Sequence, residues 1–189
     1  MTNEEYKKLS RKEFDQAAEK FDDNDPSVYN LCRKDYPDVL AEVVKEPFSD
    51  LLDAGCGTGA MLGLFKRDHP DKNFTGIDLS EKMIEAAKRK HLEGIRFVAG
   101  DCENLPFANS SFDVVTCSMS FHHYPNPKQF FLSLRRVLRP GGAAHFKGYG
   151  VQQRIADVAD ELRRDSASQQ VYGKRRCSCL FQGRYSVPL

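Results

Sequence analysis

The residues best suited to hold a ligand are three alternating glycines, Gly55, Gly57 and Gly59. They follow the segment Leu51–Asp53, whose two apolar residues and acid predict a buried strand that ends in a tight turn. Glycine permits positive φ in such a turn, and its missing Cβ lets a ligand approach the backbone. A helix predicted to begin near Ala60 would present free amides there, which favour a polar or anionic ligand group. The spacing also fits the relaxed dinucleotide fingerprint, so the motif alone does not separate nicotinamide binders from other nucleoside binders.

An aspartate lies at the position where a nucleoside-binding site places an acceptor for the ribose hydroxyls. Asp78 ends the predicted second strand, in the segment Gly76–Ser80. It lies roughly 20 residues beyond the glycines, where an acid can accept hydrogen bonds from ribose hydroxyls. Asp78 could instead cap the next helix, but Ser80 already fills that position. We therefore predict that Asp78 binds a ribose.

The elements that must position these residues alternate between strand and helix. Two N-terminal helices are predicted at residues 2–20 and 26–44, because Pro26 can open the second helix and Pro47 stops it. Apolar runs then predict strands at residues 50–54, 74–78, 95–99 and 112–117, and helices at residues 60–67, 81–90 and 127–138. Such alternation implies an α/β fold with a doubly wound, mostly parallel sheet and helices on both of its faces.

Composition excludes several classes of protein. The 189 residues include 28 basic and 27 acidic side chains, and the formal net charge of +1 gives no electrostatic footprint for nucleic acid or a membrane. No apolar run could span a bilayer, and residues 1–8 are too polar for a secretory signal. The six cysteines have neither metal-ligand nor disulfide-framework spacing, which predicts reduced thiols, no metal site and a cytoplasmic location. The sequence carries no signal for the oligomeric state.

Four motifs are linked along the middle of the chain. They are LLDAGCGTG at residues 51–59, GIDLS at 76–80, GDCENLPF at 100–107 with FDVV at 112–115, and LRPGG at 138–142. Together they resemble the class I S-adenosylmethionine-dependent methyltransferase family, and the third motif decides between the nucleoside ligands. The resemblance covers residues 51–142, about half of the chain. It implies a Rossmann-like fold that binds S-adenosylmethionine where the strand order reverses.

The resemblance assigns one group of residues to the methionine end of the cofactor. Gly55, Gly57 and Gly59 would cradle the methionine, with Cys56 in the same turn. Asp53 would bond nearby through backbone or water, and Ser118, just past the fourth strand, would lie beside the methionine.

A second group is assigned by the resemblance to the adenosine end. Asp78 would hold the ribose, and Asp101 would accept a hydrogen bond from the adenine amino group. Cys102 would lie against the adenine ring, and Leu79 and Met83 would supply apolar packing.

The implied activity is transfer of a methyl group to a small-molecule acceptor. Such a transfer requires an in-line approach of the nucleophile and a site that excludes water. A base is needed only where the nucleophile holds its proton too tightly. His122 and His123, directly after the fourth strand, are the candidates for that base, although they could instead shape the pocket. Phe21 and Tyr29 are candidates for a lid, although they could equally form the apolar face of a packed helix.

The acceptor itself cannot be identified from the sequence. No Asn-Pro-Pro-Tyr-like clamp follows the fourth strand, which disfavours enzymes that methylate amino groups of nucleic acids and proteins. The pattern is most similar to small-molecule methyltransferases, including those of quinone biosynthesis. Two alternatives stay open: a protein that binds the cofactor but transfers nothing, and an NAD(P)-dependent oxidoreductase. The short chain and the Gly100-Asp101 motif disfavour the oxidoreductase.

The resemblance ends at Gly142. A class I enzyme continues with a fifth strand, a helix and an antiparallel strand pair, whereas this chain continues with a basic, Ser/Gln-rich stretch. Only one helix is indicated, by the helical spacing of Val151, Ile155, Val158 and Leu162. We therefore divide the chain into an N-terminal helical cap (1–46), a cofactor-binding domain (47–149) and an atypical tail (150–189) that is not a separate domain.

A shift of the reading frame near Gly142 would explain the tail. The codons of residues 145–149, read one base later, permit Ile-Leu-Arg-Asp-Met, which suits a fifth strand. The same shift turns residues 157–168 into an apolar helical segment. Under this hypothesis residues 143–149 improvise the fifth strand, the closing strands are missing, and an uncovered sheet edge creates a risk of aggregation.

We expect the DNA that encodes residues 142–170 to be compatible with the shifted reading frame. Sequencing that DNA checks the hypothesis, because the third base of each codon decides which residue the shifted frame would encode. Codons that exclude the strand-like and helix-like shifted sequences would contradict it.

Overall fold

The computed structural model describes residues 1–22, 33–90, 93–164 and 177–179 of the chain. Its helices are α1 (Asn3–Ala17), α2 (Tyr36–Val43), α3 (Ala60–Asp68), α4 (Glu81–Arg89), α5 (Pro127–Val137) and α6 (Val151–Arg164). Its strands are β1 (Asp50–Ala54), β2 (Asn73–Asp78), β3 (Ile95–Ala99), β4 (Phe112–Ser118), β5 (Leu138–Lys147) and β6 (Cys177–Cys179). Short 3-10 turns follow β3, at Cys102–Asn104, and β4, at Phe121–His123.

The strands form one sheet in the order β3-β2-β1-β4-β5-β6, and each neighbouring pair is parallel. The chain starts in the middle of the sheet at β1, proceeds outward to β3 and then returns to β4 on the other side of β1. The strand order therefore reverses between β1 and β4, which opens a crevice at the carboxyl ends of these strands. This topology confirms the predicted Rossmann-like, doubly wound α/β fold.

Both faces of the sheet are covered by apolar side chains. Successive residues of a strand point to opposite faces, so Leu51 and Leu52 of β1 belong to two different core clusters. One cluster packs α2, α3 and α4 on the sheet, with Phe65 and Phe74 among its buried side chains. The other packs α5 and α6, and includes four fully or almost fully buried phenylalanines: Phe121, Phe130, Phe131 and Phe146.

The start of β5 differs from the sequence-based prediction. Helix α5 ends at Val137, and Leu138 already pairs with Phe112 of β4, where we predicted a helix that includes Leu138. The register then shifts, and Ala143 pairs with Val114. The intervening segment contains Pro140, which has no N–H to donate to a neighbouring strand, and glycine pairs poorly. The strand therefore bulges there before it continues to Lys147, two residues short of the end of the fifth strand predicted at residues 143–149.

The N-terminal helices are shorter than predicted where the structure describes them. Helix α1 starts with a capping box between Thr2 and Glu5 and ends at Ala17, and none of its residues is buried. Helix α2 covers the last part of the predicted second helix, whose earlier part, with Tyr29, lies outside the described residues. The division into an N-terminal cap, a central domain and a tail stays a prediction.

The tail contributes one helix and one strand to the described structure. Helix α6 buries Val151, Ile155 and Val158, three of the four apolar positions predicted from helical spacing; the side chain of the fourth, Leu162, lies outside the described residues. The three-residue β6 pairs in parallel with β5, so part of the β5 edge that we expected to be uncovered has a neighbour. Residues 165–176 and 180–189, where closing strands would have to lie, are outside the described residues, and the frameshift stays a hypothesis. None of the described helices is long and apolar enough to cross a bilayer.

Candidate ligand-binding cleft

A cleft of about 800 Å³, open to solvent on one side, lies at the carboxyl ends of β1, β2, β3 and β4. Ten residues predicted from the sequence for the site line its wall: Gly55, Cys56, Gly57, Asp78, Leu79, Met83, Asp101, Cys102, Ser118 and His123. Phe21, a predicted lid residue, lines it as well. The fold thus brings side chains from four strand ends, far apart in sequence, to one concave surface.

The glycine turn after β1 is fastened to the end of β2. The N–H groups of Gly55 and Cys56 both donate to the Ile77 carbonyl, at 2.8 and 3.0 Å. Gly57 donates its N–H to Asp78 Oδ2 at 2.9 Å. The turn therefore has a fixed position relative to β2.

Gly55 cannot be replaced by a larger residue without moving its neighbours. Its φ of 77° lies in the left-handed region, and a Cβ there would lie 2.4 Å from the side chain of Ser120. Gly59 has φ of 76° and forms the N-cap of α3, so it shapes the turn but does not line the cleft.

Asp78 holds backbone groups on both sides of its strand end. Oδ1 accepts the N–H of Ser80 at 2.9 Å, while Oδ2 accepts that of Gly57. Burial raises the pKa of Asp78 above its ordinary value, although these two N–H groups act in the opposite direction. Each carboxylate oxygen keeps further acceptor capacity for a ligand hydroxyl.

Asp101 and Glu103 share one cation at the β3 side of the cleft. Lys7 Nζ, from α1, lies 2.7 Å from Asp101 Oδ2 and 2.6 Å from Glu103 Oε2. Glu103 is 2% exposed, and a buried carboxylate needs such a partner. Burial lowers the pKa of Lys7, but the hydrogen bonds and charges of the two carboxylates outweigh it, so this pKa lies above its ordinary value.

The segment after β4 supplies polar and strained groups. Ser118 Oγ is buried without a hydrogen-bond partner among the described residues, although Ser118 lines the cleft. Met119 adopts a left-handed conformation, with φ of 55°, and its N–H donates to the Lys147 carbonyl at 2.7 Å. Such backbone conformations are uncommon outside glycine and cluster at functional sites.

The two histidines occupy different environments. His123 lines the cleft and meets Phe14 of α1 edge to face at 5.0 Å between ring centroids. Burial lowers its pKa. His122 does not line the cleft, because it lies behind His123, with the ring centroids 4.1 Å apart. Burial, assisted by the charges of His123 and Arg154, lowers the pKa of His122 to about 4.

Asp53 also lies behind the cleft wall. It is 3% exposed, and its Oδ1 accepts a hydrogen bond from Thr116 Oγ1 at 2.8 Å. Burial raises the pKa of Asp53 to about 7; the Thr116 hydrogen bond lowers it, and the charge of Asp78 raises it further. Asp53 is therefore not among the residues that line the cleft, and its predicted bonding to the cofactor through backbone or water stays a prediction.

Nine lining residues were missed at the sequence level: Lys7, Ser10, Phe14, Tyr36, Glu103, Met119, Ser120, Tyr124 and Pro125. Those after β4 belong to the segment that contains the histidines, so proximity in sequence could have indicated them. Lys7, Ser10 and Phe14 carried only the signal of an amphipathic helix. That α1 lies against this cleft is a tertiary fact. The described residues contain no cluster of three or more His, Cys, Asp or Glu side chains that could hold a metal ion.

Comparison with known proteins identifies the class of this domain. A family model described as "Methyltransferase domain" matches residues 52–146. The chain is 42% identical over 93 residues to phthiotriol/phenolphthiotriol dimycocerosates methyltransferase of Mycobacterium tuberculosis, which covers 49% of the chain and 34% of that protein. It is 34% identical over 140 residues to demethylmenaquinone methyltransferase of Thermotoga maritima, covering 72% of the chain and 59% of that protein.

A solved structure shares the fold. Haemonchus contortus phosphoethanolamine N-methyltransferase 1, in complex with phosphoethanolamine and S-adenosylhomocysteine, matches with a TM-score of 0.64 and 23% identity. The match covers 77% of this chain and 33% of that chain. The chain thus spans 34% to 59% of the length of the two sequence relatives named above.

Asp53 predicts a pH dependence of stability. Because its pKa rises from about 3.8 to about 7 on folding, the folded protein holds a proton that the unfolded chain releases between those values. The free energy of unfolding contributed by Asp53 is therefore highest below pH 4 and falls as the pH rises to 7, by at most about 1.4 kcal/mol per pH unit. We expect Asp53→Asn to remove this component, measured by urea unfolding from pH 4 to 8.

Comparing Asp53→Asn with wild type separates the effect of Asp53 from that of groups whose titration changes stability with pH in the opposite direction. His122 and His145, whose pKa values are both lowered to about 4, make stability rise with pH over part of the same range. Thr116→Val serves as a second variant, because loss of its hydrogen bond raises the folded-state pKa of Asp53 further and extends the loss of stability to higher pH. Parallel pH profiles for wild type and Asp53→Asn would contradict the assignment.

Proposed function

The chain belongs to the methyltransferase domain family, and on that premise we propose that it binds S-adenosylmethionine in the cleft and transfers the methyl group to a small-molecule acceptor. The observation that carries the proposal is the meeting of the glycine turn, Asp78, Asp101 and Ser118 on one concave wall. These residues come from the ends of β1, β2, β3 and β4, and the cleft lies where the strand order reverses.

The residues of the cleft suit the parts of this cofactor. The methionine end lies at Gly55 and Gly57, where the absence of Cβ atoms leaves room for it. The buried Ser118 Oγ has no hydrogen-bond partner among the described residues, and the methionine end of the cofactor can supply one. The ribose hydroxyls donate to Asp78. The adenine lies near Asp101, between the apolar side chains of Leu79, Met83 and Cys102. Cys56 supports the turn, and Gly59 and Asp53 support it from behind.

The charge of the cleft favours this cofactor over a dinucleotide. Three carboxylates line the wall, those of Asp78, Asp101 and Glu103, against the single ammonium of Lys7. S-Adenosylmethionine carries a sulfonium cation and an ammonium, whereas a nicotinamide dinucleotide carries an anionic pyrophosphate. A cleft with net negative charge attracts the former and repels the latter. The oxidoreductase alternative also lacks support from the relatives, which are named methyltransferases.

Helix α1 closes one side of the cleft by polar contacts. Lys7 binds Asp101 and Glu103, and Asp15 Oδ1 accepts from Ser80 Oγ at 2.6 Å. Phe14 contacts His123. Since α1 has no buried residue, its position depends on these few contacts, and we assign it the role of a cover over the adenosine.

The chain's residues prepare the transfer by orientation and exclusion of water. The cofactor, when bound, supplies the methyl group on a cationic sulfur. The cleft holds it against β1 and β4, so an acceptor approaches from the side of Met119, His123 and Pro125. His123 is neutral at pH 7, because burial lowers its pKa, and a neutral imidazole can accept a proton from an acceptor hydroxyl. His122 supports His123 from behind and does not reach the cleft.

The acceptor side of the wall is largely uncharged. Among the described lining residues, the charged ones lie toward β2 and β3: Lys7, Asp78, Asp101 and Glu103. The rest of the wall includes four apolar or aromatic side chains: Phe14, Tyr36, Met119 and Pro125. An apolar or aromatic small molecule fits such a surface. Nucleic acid is not among the proposed acceptors, because the net charge of +1 gives no basic footprint. We keep the cytoplasm as the proposed location, since Cys56, Cys102 and Cys117 are free thiols.

Two measurements test the proposed function. Calorimetric titration with S-adenosylhomocysteine is expected to show saturable one-to-one binding, with NADH binding far more weakly. Methyl-labelled S-adenosylmethionine is then offered with a panel of small aromatic and aliphatic acceptors. Transfer of label supports the enzyme; saturable binding without any transfer supports the alternative of a binding protein. A cooperatively folded chain that binds neither cofactor form would contradict the proposal.

Asp78→Asn is expected to weaken binding of S-adenosylhomocysteine by about 1.5–3 kcal/mol, because a charged hydrogen-bond acceptor for the ribose is lost. Calorimetric titration measures the affinity, and thermal melting checks the fold. Asp71→Asn, at an exposed residue before β2, is the matched control and should bind like wild type. Equal affinity of Asp78→Asn and wild type would show that the ribose lies elsewhere.

Lys7→Met is expected to release the cover. Loss of the shared cation frees α1 from Asp101 and Glu103, so the dissociation rate of S-adenosylhomocysteine should rise roughly tenfold, measured by stopped-flow competition. Lys8→Met is the control, because Lys8 is exposed on the same helix. A dissociation rate that stays at the wild-type value in Lys7→Met would rule out α1 as a cover.

A further inference from the structure

Three side chains after β4 form a hydrogen-bonded group at the wall of the cleft. Ser120 Oγ lies 2.8 Å from the Ala54 carbonyl oxygen, 3.0 Å from the Tyr124 hydroxyl and 3.1 Å from Cys117 Sγ. A serine hydroxyl has one proton, and a carbonyl oxygen can only accept. Ser120 therefore donates to Ala54 and accepts from the Tyr124 hydroxyl, while the single proton of Cys117 is shared between Ser120 Oγ and the Tyr124 oxygen, which lies 3.8 Å from Cys117 Sγ.

This arrangement fixes the direction of the Tyr124 hydroxyl. Its proton points to Ser120 Oγ, so its lone pairs point away from Ser120; one of them accepts the long contact from Cys117 Sγ, and the other keeps acceptor capacity. Burial raises the pKa of Tyr124 well above its ordinary value, so the side chain stays a neutral phenol at physiological pH. The cleft wall thus contains an oriented acceptor oxygen that carries no charge.

The oxygen lies between the two ends of the proposed cofactor site. A Cβ on Gly55 would lie 3.0 Å from the Tyr124 hydroxyl, so this oxygen touches the turn that faces the methionine. Tyr124 also interacts with the side chain of Cys102, which borders the proposed adenine position. The atom of the cofactor that lies between methionine and adenosine is the sulfur.

On the basis of the proposed function, we propose that the Tyr124 oxygen faces the sulfonium centre and makes the site prefer the charged cofactor over its demethylated product. The carbon atoms bound to a sulfonium carry positive charge and donate C–H···O contacts to an acceptor oxygen. In S-adenosylhomocysteine the sulfur is neutral and has an additional lone pair, which an acceptor oxygen repels. Tyr124 is thus a specificity-determining residue that favours exchange of product for fresh cofactor.

Tyr124→Phe tests this inference by the ratio of two dissociation constants. The variant keeps the ring, which packs on Phe121 and Phe130, and removes only the oxygen. We expect the dissociation constant for S-adenosylmethionine to rise about two- to fivefold, while that for S-adenosylhomocysteine stays equal or falls. Calorimetric titration measures both, and thermal melting verifies the fold. Tyr149→Phe is the matched control, since Tyr149 is 67% exposed.

Equal changes for both ligands, or no change for either, would overturn the inference, because a merely structural role does not distinguish a sulfonium from a thioether. Ser120→Ala provides a second variant. Without its acceptor, the Tyr124 hydroxyl is free to rotate its proton toward the cleft, so the same selective loss for S-adenosylmethionine is expected. Failure of the wild-type chain to bind either ligand would instead contradict the proposed function, and is distinguishable from failure of the variants alone.

Discussion

The candidate site depends on the attachment of the glycine turn to the end of β2. Gly55 and Cys56 donate to the Ile77 carbonyl, and Gly57 donates to the Asp78 carboxylate. These bonds fix the distance between the proposed methionine and ribose subsites, because the turn is tied to the strand end that carries Asp78. Asp78 therefore has two functions: it holds the protein backbone, and it keeps acceptor capacity for a ligand.

Carboxylates dominate the electrostatics around this attachment. Burial raises the pKa values of both Asp53 and Asp78; the charge of Asp78 raises the pKa of Asp53 further, and the charge of Asp15 raises that of Asp78. At β3 a single cation, Lys7, pairs with both Asp101 and the deeply buried Glu103, so one negative charge remains uncompensated there. A cationic ligand fits this balance, since it adds positive charge where the protein supplies little of its own. The pH dependence of stability and the proposed preference for a cationic cofactor thus depend on the same group of acids.

The two sides of the cleft differ in how deeply the residues that support them are buried. Beneath the β4 side lie Phe121, Phe130 and Phe146, almost inaccessible to solvent, which hold Ser120 and Tyr124 in place. The opposite side is covered by α1, which has no buried residue and is held by ion pairs and a few hydrogen bonds. Low local burial is typical of segments that open. A rigid wall orients the reactive part of a ligand, while a loosely held cover permits its exchange.

The sequence by itself determined the topology and the residues after each strand, because strand and helix periodicity and glycine spacing are local signals. Leu79, Met83, Asp101 and Cys102 were assigned to the site by the family resemblance of the motifs after β2 and β3, and all four line the cleft. The structure alone decided that Lys7 and Phe14 of α1 lie against the cleft, that Asp53 and His122 lie behind it, and that β5 starts at Leu138. Those facts depend on which helix face meets which strand end. That choice is made by the whole set of packed side chains, which no short stretch of sequence contains.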